Sequence, residues 1–503
     1  MRSASVLAIL SVLAATVINA APAPTDAVYT CDSATTWHSQ DKTGTCPAGT
    51  VCTANAAGNP CQSGSNTFTK TETVTGPGQT STSTAVGGSS GSSGSTNAKP
   101  TDVTNDSGSN GNGGSRFVAY WNNYANLGGT EKTQLDGVTH VILSFANLTH
   151  WDTPQQTFDF VTSSNGKFDA STAATLKGMK SDLKVTAALG GWGLDAPLAS
   201  AVNGTWSMSV FIDNTVNLVK QFNLDGIDLD WGKAFSCFTI GRKLMKLAEY
   251  PAKKDVPNFV TFIKQLREKL GKDKIISIAV GARTDTSDVE AYTKDTFTQL
   301  NDLVDMWNVM TYDYVNRYST KTEQQGGGRV VNTVMAYYQQ QGMPMKKANI
   351  GFGMYAKYFT NVQSCSATQP IGCPLPGQSY YEDKITGDNR KSGWLVFNSG
   401  LDTSFGNEGN TWAAKMRQQF NARPKDGSTE IKGDLSNAWY DGSQSGEAKT
   451  FWTWTSEKDM GDTCKEWKTK VGGMMVWSMN QDDQGKAGGS HFQALAACVK
   501  GAK

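Results

Sequence analysis

The sequence predicts an α/β protein whose main part, residues 116–503, is a TIM (β/α)8 barrel with an α+β insertion between strands 7 and 8. Past residue 116, eight short apolar runs alternate with helical stretches such as Pro257 to Leu270, the pattern of successive βα units. The stretch between the last two runs is too long for one helix and its loops, which predicts an inserted subdomain at 355–455. The predicted strands are Phe117 to Trp121, Val138 to Phe145, Lys184 to Leu189, Gly226 to Trp231, Ile275 to Val280, Met306 to Thr311, Asn349 to Gly353 and Gly473 to Ser478.

Three segments precede the predicted barrel. Residues 1–20 join Met1-Arg2 to an apolar run too short to span a bilayer and a small-residue site, which predicts a secretory signal peptide. Residues 21–61 form a predicted small module with too few apolar residues to fold unaided, so two disulfides in any of three pairings are expected. Residues 62–115, rich in Ser, Gly and Thr, predict a linker. The cysteines of the module are Cys31, Cys46, Cys52 and Cys61.

The net charge and the cysteine content indicate what kind of partner the protein binds and in which compartment it works. A net charge of +1 over 503 residues gives no sign of a nucleic-acid or anionic-membrane partner, so we expect an uncharged one. In the oxidising medium outside the cell, paired cysteines are expected. Cys365 is close enough in sequence to pair with Cys373, which leaves Cys464 to pair with Cys498. Asn-x-Ser/Thr glycosylation motifs occur at Asn105, Asn147 and Asn203.

The most informative stretch is residues 225–231, which read Asp-Gly-Ile-Asp-Leu-Asp-Trp. Strand side chains alternate between two faces, so Asp228, Asp230 and the residue at position 232 are expected on one face. Three carboxylates in line would form a proton-handling site, but the third position holds Gly232. Glu249, followed by Tyr250-Pro251, stands after seventeen intervening residues.

We interpret residues 232–248 as a retained intron. Seventeen codons preserve the reading frame, Gly232-Lys233 can be encoded with a GTAAG donor, and Ala248-Glu249 with a CAG acceptor. The segment also adds four basic residues and Cys237, which makes the cysteine count odd. Its removal would place Glu249 directly after Trp231. The alternative is a genuine loop insertion after the strand, which barrels tolerate at that end.

Several motifs in order resemble glycoside hydrolase family 18, the chitinases, across essentially all of Arg116 to Lys503. Without residues 232–248, the fourth predicted strand reads Asp-Gly-Ile-Asp-Leu-Asp-Trp-Glu-Tyr-Pro, which resembles the active-site strand of that family. Residues 117–121 resemble its first strand, residues 189–192 its third-strand motif with Ala188 in place of the usual serine, and residues 308–313 its sixth strand. Trp477 stands where the family ends its eighth strand.

The resemblance implies a retaining mechanism in which the sugar's own acetamide attacks the anomeric carbon. It assigns Glu249 as general acid and then base, and Asp230 as the group that orients and stabilises the acetamide. Asp228 would hydrogen-bond Asp230 and help to set its protonation, because two adjacent carboxylates cannot both ionise cheaply. Tyr312 would donate to the acetamide oxygen.

Further expectations concern structural and substrate-binding residues. Asp225, Gly190 and Gly191 are expected to be structural, with Asp225 shaping the start of its strand. Core packing is the alternative for Tyr120 and Trp192, and an exposed loop acid is the alternative for Glu249. The expected substrate-binding residues are Trp477, Tyr120, Trp121, Trp192, Met310 and Asp313.

The sequence therefore predicts a secreted, monomeric, fungal-type endochitinase whose partner is chitin or chitooligosaccharides. The Cys-Pro-Ala-Gly-Thr-Val-Cys run of the amino-terminal module resembles a small chitin-binding module; a stapled domain without a ligand is the alternative. We expect no cofactor and no metal, since the histidines lack metal-site spacing and no phosphate loop stands beside a strand. Two other functions remain open: a chitin-binding protein impaired in catalysis by the insertion, and an endo-N-acetylglucosaminidase acting on N-glycans.

Overall fold

The computed structural model divides the chain into two compact units, Met1–Asn105 and Asp106–Lys503. The predicted signal peptide and nearly all of the predicted linker lie outside the described residues. Those residues are 30–31, 36–38, 43–45, 50–52, 61–63, 115–122, 132–148, 158–160, 168–169, 171–191, 194, 196–231, 239–240, 243–244, 253–286, 289–316, 319–360, 362, 369–375, 392–399, 406–421, 437–440, 449–482 and 489–501.

The described part of the first unit consists of short antiparallel strands. The first three form one sheet in the order β1-β2-β3, and the last two form another, in which Cys52 stands opposite Cys61 in the backbone register. The strands are β1 (Thr30–Cys31), β2 (Thr36–His38), β3 (Thr43–Thr45), β4 (Thr50–Cys52) and β5 (Cys61–Ser63).

The strands of the second unit build a closed barrel with additions. Eight parallel strands close it in the order β10-β11-β14-β15-β16-β21-β6-β7, and the remaining strands form three small antiparallel sheets. In chain order the strands are β6 (Arg116–Asn122), β7 (His140–Ser144), β8 (Ala146–Asn147), β9 (Asp159–Phe160), β10 (Lys184–Gly190), β11 (Gly226–Asp230), β12 (Thr239–Ile240), β13 (Lys243–Leu244), β14 (Ile275–Val280), β15 (Met306–Val309), β16 (Ala348–Gly353), β17 (Tyr355–Thr360), β18 (Ser392–Val396), β19 (Asn437–Tyr440), β20 (Thr450–Thr453) and β21 (Gly473–Trp477).

The helices lie between these strands, and some of them begin at a side-chain cap. Ser207 and Ser456 each accept a hydrogen bond from a backbone N–H of the first helical turn, which satisfies a donor that the helix itself cannot. The α-helices in the described residues are α1 (Thr172–Met179), α2 (Ala196–Val202), α3 (Met208–Gln221), α4 (Val256–Leu270), α5 (Lys294–Leu300), α6 (Gly328–Gln340), α7 (Gly406–Asn421), α8 (Glu457–Trp467) and α9 (Ser490–Lys500), with 3₁₀ turns at Lys132–Leu135, Lys253–Asp255, Met345–Lys347 and Met479–Gln481.

Alternation along the barrel strands sorts their side chains into two layers. On β6, Phe117 and Ala119 pack outward in the large core cluster between barrel and helices, whereas Val118 and Tyr120 point into the barrel interior. On β11, Ile227 and Leu229 belong to the outer layer, which leaves Asp228 and Asp230 for the interior. Both acids therefore lie inside the barrel, on the strand whose sequence predicted a site.

The insertion between the seventh and eighth barrel strands is an α+β subdomain. Strands β17 to β20 form an antiparallel sheet in the order β18-β17-β20-β19, and side chains of α7 pack against one of its faces. A disulfide joins Cys464 on α8 to Cys498 on α9, as the sequence predicted. Cys373 is also disulfide-bonded, while its predicted partner Cys365 lies outside the described residues.

All eight predicted barrel strands are confirmed, most of them with ends shifted by one or two residues. The predicted helix at 257–270 is confirmed as α4, which begins one residue earlier. Among the described residues, no helix is long and apolar enough to cross a membrane.

Candidate active site

Asp228 is a buried carboxyl at the centre of the barrel interior. It accepts hydrogen bonds from the hydroxyl of Ser277 at 2.5 Å, from Tyr120 at 2.7 Å and from the Asn308 amide at 3.0 Å. These partners come from three other strands, β14, β6 and β15, so closure of the barrel itself assembles the group. Such a satisfied network fixes the orientation of the Asp228 side chain.

Burial decides the acidity of this group. It raises the pKa of Asp228 above its ordinary value, and the hydrogen bonds from Ser277, Tyr120 and Asn308 oppose that shift. Burial and then the nearby carboxylates of Asp228 and Asp230 raise the pKa of Tyr120 well above its ordinary value. Tyr120 therefore stays a neutral donor, and burial favours the protonated form of Asp228.

Asp230 ends β11 two residues beyond Asp228 and lies at the carboxyl end of the barrel, where barrel enzymes place their sites. Its backbone carbonyl accepts a hydrogen bond from Gly191 at 2.8 Å. Gly191 has φ +89°, and a Cβ there would meet the ring of Phe145 at 2.3 Å. The glycine thus permits a close approach of Phe145, and the preceding Gly190 pairs in register with Asp230.

Aromatic rings line the same mouth. Trp477, at the end of β21, lies 5.4 Å from Tyr120 and 5.5 Å from Phe145 between ring centroids. Tyr312 packs at 6.4 Å against Tyr355, and both belong to the interior cluster together with Met310. The structure therefore brings Trp477, Tyr120, Tyr312 and Met310 together at the mouth of the barrel with the two aspartates.

Asp313 receives two partners from the inserted subdomain. It adopts φ +55°, a left-handed conformation that aspartate tolerates better than most residues. The Tyr355 hydroxyl donates to its carboxylate at 2.6 Å, and the Lys357 ammonium lies 3.0 Å from the same oxygen. The Lys357 side chain is only 2% exposed, against 38% for Asp313. The insertion is thereby tied to the wall of the site by a buried cation.

A chain of side-chain amides runs from Asp228 toward the opposite end of the barrel. Asn349 donates to the Asn308 carbonyl oxygen at 2.9 Å, and the Arg116 guanidinium donates to the Asn349 carbonyl oxygen at 3.1 Å. Burial lowers the pKa of Arg116 to about 10, so the guanidinium remains charged near neutral pH. The polar chain thus crosses the barrel interior from β11 to the start of β6.

Some predicted site residues lie elsewhere. Trp121 is buried in the outer layer, because its neighbour Tyr120 takes the interior face of β6 and strand side chains alternate; the structure does not bring it to the mouth. Asp225 lies at the start of β11, where it accepts from the Val185 N–H and pairs with Lys177 at 2.9 Å. Trp192 and Glu249 lie outside the described residues.

Sequence reasoning missed Ser277, Tyr355 and Lys357. The lone serine in the apolar run Ile-Ile-Ser-Ile-Ala-Val could have indicated Ser277, since a polar side chain inside a barrel strand requires a hydrogen-bond partner. Tyr355 and Lys357 stand two apart in one strand and therefore share a face. Within the described residues, no three histidine, cysteine or acidic side chains group as a metal site would require.

The fold and these residues define an α/β-barrel protein with a carboxylate pair at the carboxyl end of its fourth strand. The sequence profile described as Glycosyl hydrolases family 18 matches residues 116–482, which is most of the chain. The chain therefore belongs to glycosyl hydrolases family 18.

Two curated relatives give the range of similarity. A protein named Probable chitinase 2 from Drosophila melanogaster is 23% identical over 366 residues, 69% of this chain and 66% of the relative. Chitinase 1 from Aphanocladium album is 26% identical over 223 residues, 40% of this chain and 46% of the relative. The aligned part thus spans less than two thirds of each of these relatives.

Solved structures share the fold at low identity. Catalytic domain 2 of the Ostrinia furnacalis Group II chitinase, in complex with (NAG)5, matches 77% of this chain and 97% of that one, with 20% identity and a TM-score of 0.56. Human YKL-39, described as a pseudo-chitinase with retained chitooligosaccharide binding properties, matches 77% of this chain and all of that one, with 17% identity and a TM-score of 0.55.

Proposed function

We propose that this chain is a secreted chitinase, which hydrolyses β-1,4 bonds between N-acetylglucosamine units with retention of configuration. The observation that carries the proposal is the fully hydrogen-bonded Asp228 beneath Asp230, at a barrel mouth walled by Trp477, Tyr120 and Tyr312. Family membership and chitinase relatives support the same substrate class.

The chemistry requires a proton donor and a group that stabilises positive charge. In the proposed first step, Glu249 protonates the leaving glycosidic oxygen while the acetamide oxygen of the same sugar attacks its C1. The bond between C1 and the glycosidic oxygen breaks, the leaving sugar departs as an alcohol, and an oxazolinium ion remains. In the second step, Glu249 takes a proton from water as the water oxygen attacks C1 and the acetamide re-forms. Glu249 regains in the second step the proton that it gave up in the first, and the reaction requires no cofactor.

The aspartate pair suits the intermediate. Asp230 orients the acetamide N–H and stabilises the positive charge of the oxazolinium. Asp228 lies deeper, with a pKa raised by burial, so it can share a proton with Asp230 while its other bonds keep it fixed. In this proposal Tyr312, which belongs to the same interior cluster, donates a hydrogen bond to the acetamide oxygen.

Residues 232–248 decide whether the general acid reaches the site. In the proposed active form they are absent, so that Glu249 follows Trp231 and alternation along the strand directs it to the face of Asp228 and Asp230. Trp231 itself packs outward against Phe259, with ring centroids 5.5 Å apart. Position 232 is therefore the next position expected to face inward.

The test compares two full-length versions of the chain, with and without residues 232–248, on chitooligosaccharides. We expect hydrolysis by the shorter version, with the β-anomer formed first as followed by NMR. Glu249→Gln in that version should lower turnover about 10²–10⁴-fold while binding persists, because only the proton donor is lost. Glu268→Gln, an exposed acid on α4, is the matched control. Unchanged turnover in Glu249→Gln would refute the assignment.

Peptide mass spectrometry of the naturally secreted protein across residues 221–253 decides which version exists. A junction peptide reading Asp-Leu-Asp-Trp-Glu-Tyr-Pro supports the active form. Peptides from inside residues 232–248 would instead favour the second candidate, a chitooligosaccharide-binding protein without turnover. The specific observation in favour of that candidate is Gly232, which follows Trp231 where the proton donor is needed.

The amino-terminal module is proposed to hold insoluble chitin near the barrel. A pull-down on insoluble chitin with residues 21–65 tests this idea, and binding would also disfavour an enzyme acting on N-glycans. Export, the signal peptide and a monomeric state remain part of the proposal.

A further inference from the structure

Trp394 is an exposed indole on the inserted sheet. Its exposed fraction is 40%, and it is one of three large apolar side chains exposed to this degree among the described residues. It lies in the middle of β18, which is an edge strand of the insertion sheet. Part of the indole is thus open to solvent, and a ligand that covers this apolar surface would gain free energy of binding.

Alternation fixes the face on which Trp394 lies. On β17, Tyr355 belongs to the barrel-mouth cluster, whereas Ala356 and Tyr358 pack in the outer core. On β18, Val396 belongs to the same mouth cluster, and Leu395 packs in the outer core. Trp394 is two residues from Val396 and therefore shares its face.

The strand register places Trp394 beside the wall of the site. It is directly opposite Lys357 in the antiparallel pair, so the two side chains stand on the same face. Lys357 reaches back to the Asp313 carboxylate at 3.0 Å, and Tyr355 reaches the same carboxylate. Asp313 follows Tyr312 in the chain, Lys357 pairs with Asp313, and Trp394 stands beside Lys357 in the sheet. The indole therefore lies next to the wall of the site, on the side away from the barrel mouth.

We propose that Trp394 is a further sugar-binding residue, an aromatic platform for an N-acetylglucosamine ring of the oligosaccharide beyond the sugar held at Asp230. The inference rests on the proposed substrate class. The hydrophobic face of a pyranose ring stacks on an indole, and the polar edge of the sugar stays in water. Because Trp394 lies outside the Asp313–Lys357 pair, it contacts only chains long enough to extend past that pair.

The test measures binding of (GlcNAc)6 and (GlcNAc)2 by calorimetry to the full-length chain and to two matched variants, Trp394→Phe and Trp394→Leu. Phenylalanine keeps a ring, whereas leucine keeps apolar bulk without one. We expect leucine to raise the Kd for the hexamer about tenfold and phenylalanine by less than about threefold. The effect on the dimer should be less than about twofold for both variants.

Other results would overturn either this inference, the proposed enzyme activity, or both. Hexamer affinity in Trp394→Leu equal to wild type, or an equal loss for dimer and hexamer, overturns the inference. Should the leucine variant fail to fold, the tryptophan emission change on hexamer binding decides, and Trp394→Phe must lose part of it. Trp394-dependent binding without any hydrolysis would overturn the proposed enzyme but not this inference. A wild-type chain that binds neither oligosaccharide would overturn both.

Discussion

Asp228 is a single carboxyl whose environment makes a prediction about pH. Burial raises its pKa above the ordinary value of 3.8, so the folded chain holds a proton that the unfolded chain has already lost. The free energy of unfolding should therefore fall as pH rises from about 4 through the raised pKa. Asp228→Asn should lack this slope, which urea unfolding at pH 4, 5, 6 and 7 would measure. Asp302→Asn, at an exposed acid, is the control, and equal slopes in Asp228→Asn and wild type would contradict the prediction.

The pair of Lys357 and Asp313 predicts an asymmetry between two substitutions. Lys357 is buried and Asp313 is partly solvated, so removing the carboxylate takes a close counter-ion from a buried charge, whereas removing the ammonium leaves an acid that water still reaches. Asp313→Asn, which tolerates the same φ, should lower the free energy of unfolding by about 1–3 kcal/mol. Lys357→Met should cost less than about 1 kcal/mol, because methionine fills the space of the stem. Chemical denaturation of both single variants and of the double variant checks this; a costlier Lys357→Met would refute it.

At the scale of elements, the Cys464–Cys498 disulfide joins the last two helices around a separation of 34 residues. In the chain-entropy description, a loop of this size stabilises the fold by about 3–4 kcal/mol. The double substitution Cys464→Ala and Cys498→Ala should lower the melting temperature by several degrees, measured by scanning calorimetry. Wild-type protein under a reducing agent should shift at least as far, because Cys373 is also disulfide-bonded. The reducing agent should shift the double variant less than it shifts wild type. Equal shifts in the two proteins would place the effect at another disulfide.

Elements were more predictable from sequence than the contacts between them. The barrel strands were predicted from their apolar runs, because both faces of a barrel strand are buried. The Asp-x-Asp pattern on β11 indicated which face of that strand is the interior one. The prediction that Trp121 binds substrate was wrong. In a strand buried on both faces, an aromatic residue gives no local indication of whether it faces the barrel interior or the helices. Lys357 and Ser277 were missed because their partners are 44 and 49 residues away, and no local pattern links them.

At the scale of the whole molecule, the strand order of the barrel decides which distant residues meet. β6 lies between β7 and β21, so Tyr120 near the start of this unit and Trp477 near its end form one aromatic wall. The sequence predicted both residues separately, by their motifs. Their contact follows only from closure, which composition and periodicity do not encode locally.

In the polar chain from Arg116 to Asp228, all side-chain hydrogen bonds are oriented by the residue at its start. A guanidinium can only donate, so Asn349 must turn its oxygen toward Arg116 and its NH₂ toward Asn308. Asn308 in turn offers its oxygen to Asn349 and its NH₂ to Asp228. Each amide could otherwise sit either way round. The fixed cation at one end of the barrel thus sets the orientation of both amides, and Asn308 presents an N–H donor rather than an oxygen lone pair to the buried Asp228 carboxyl.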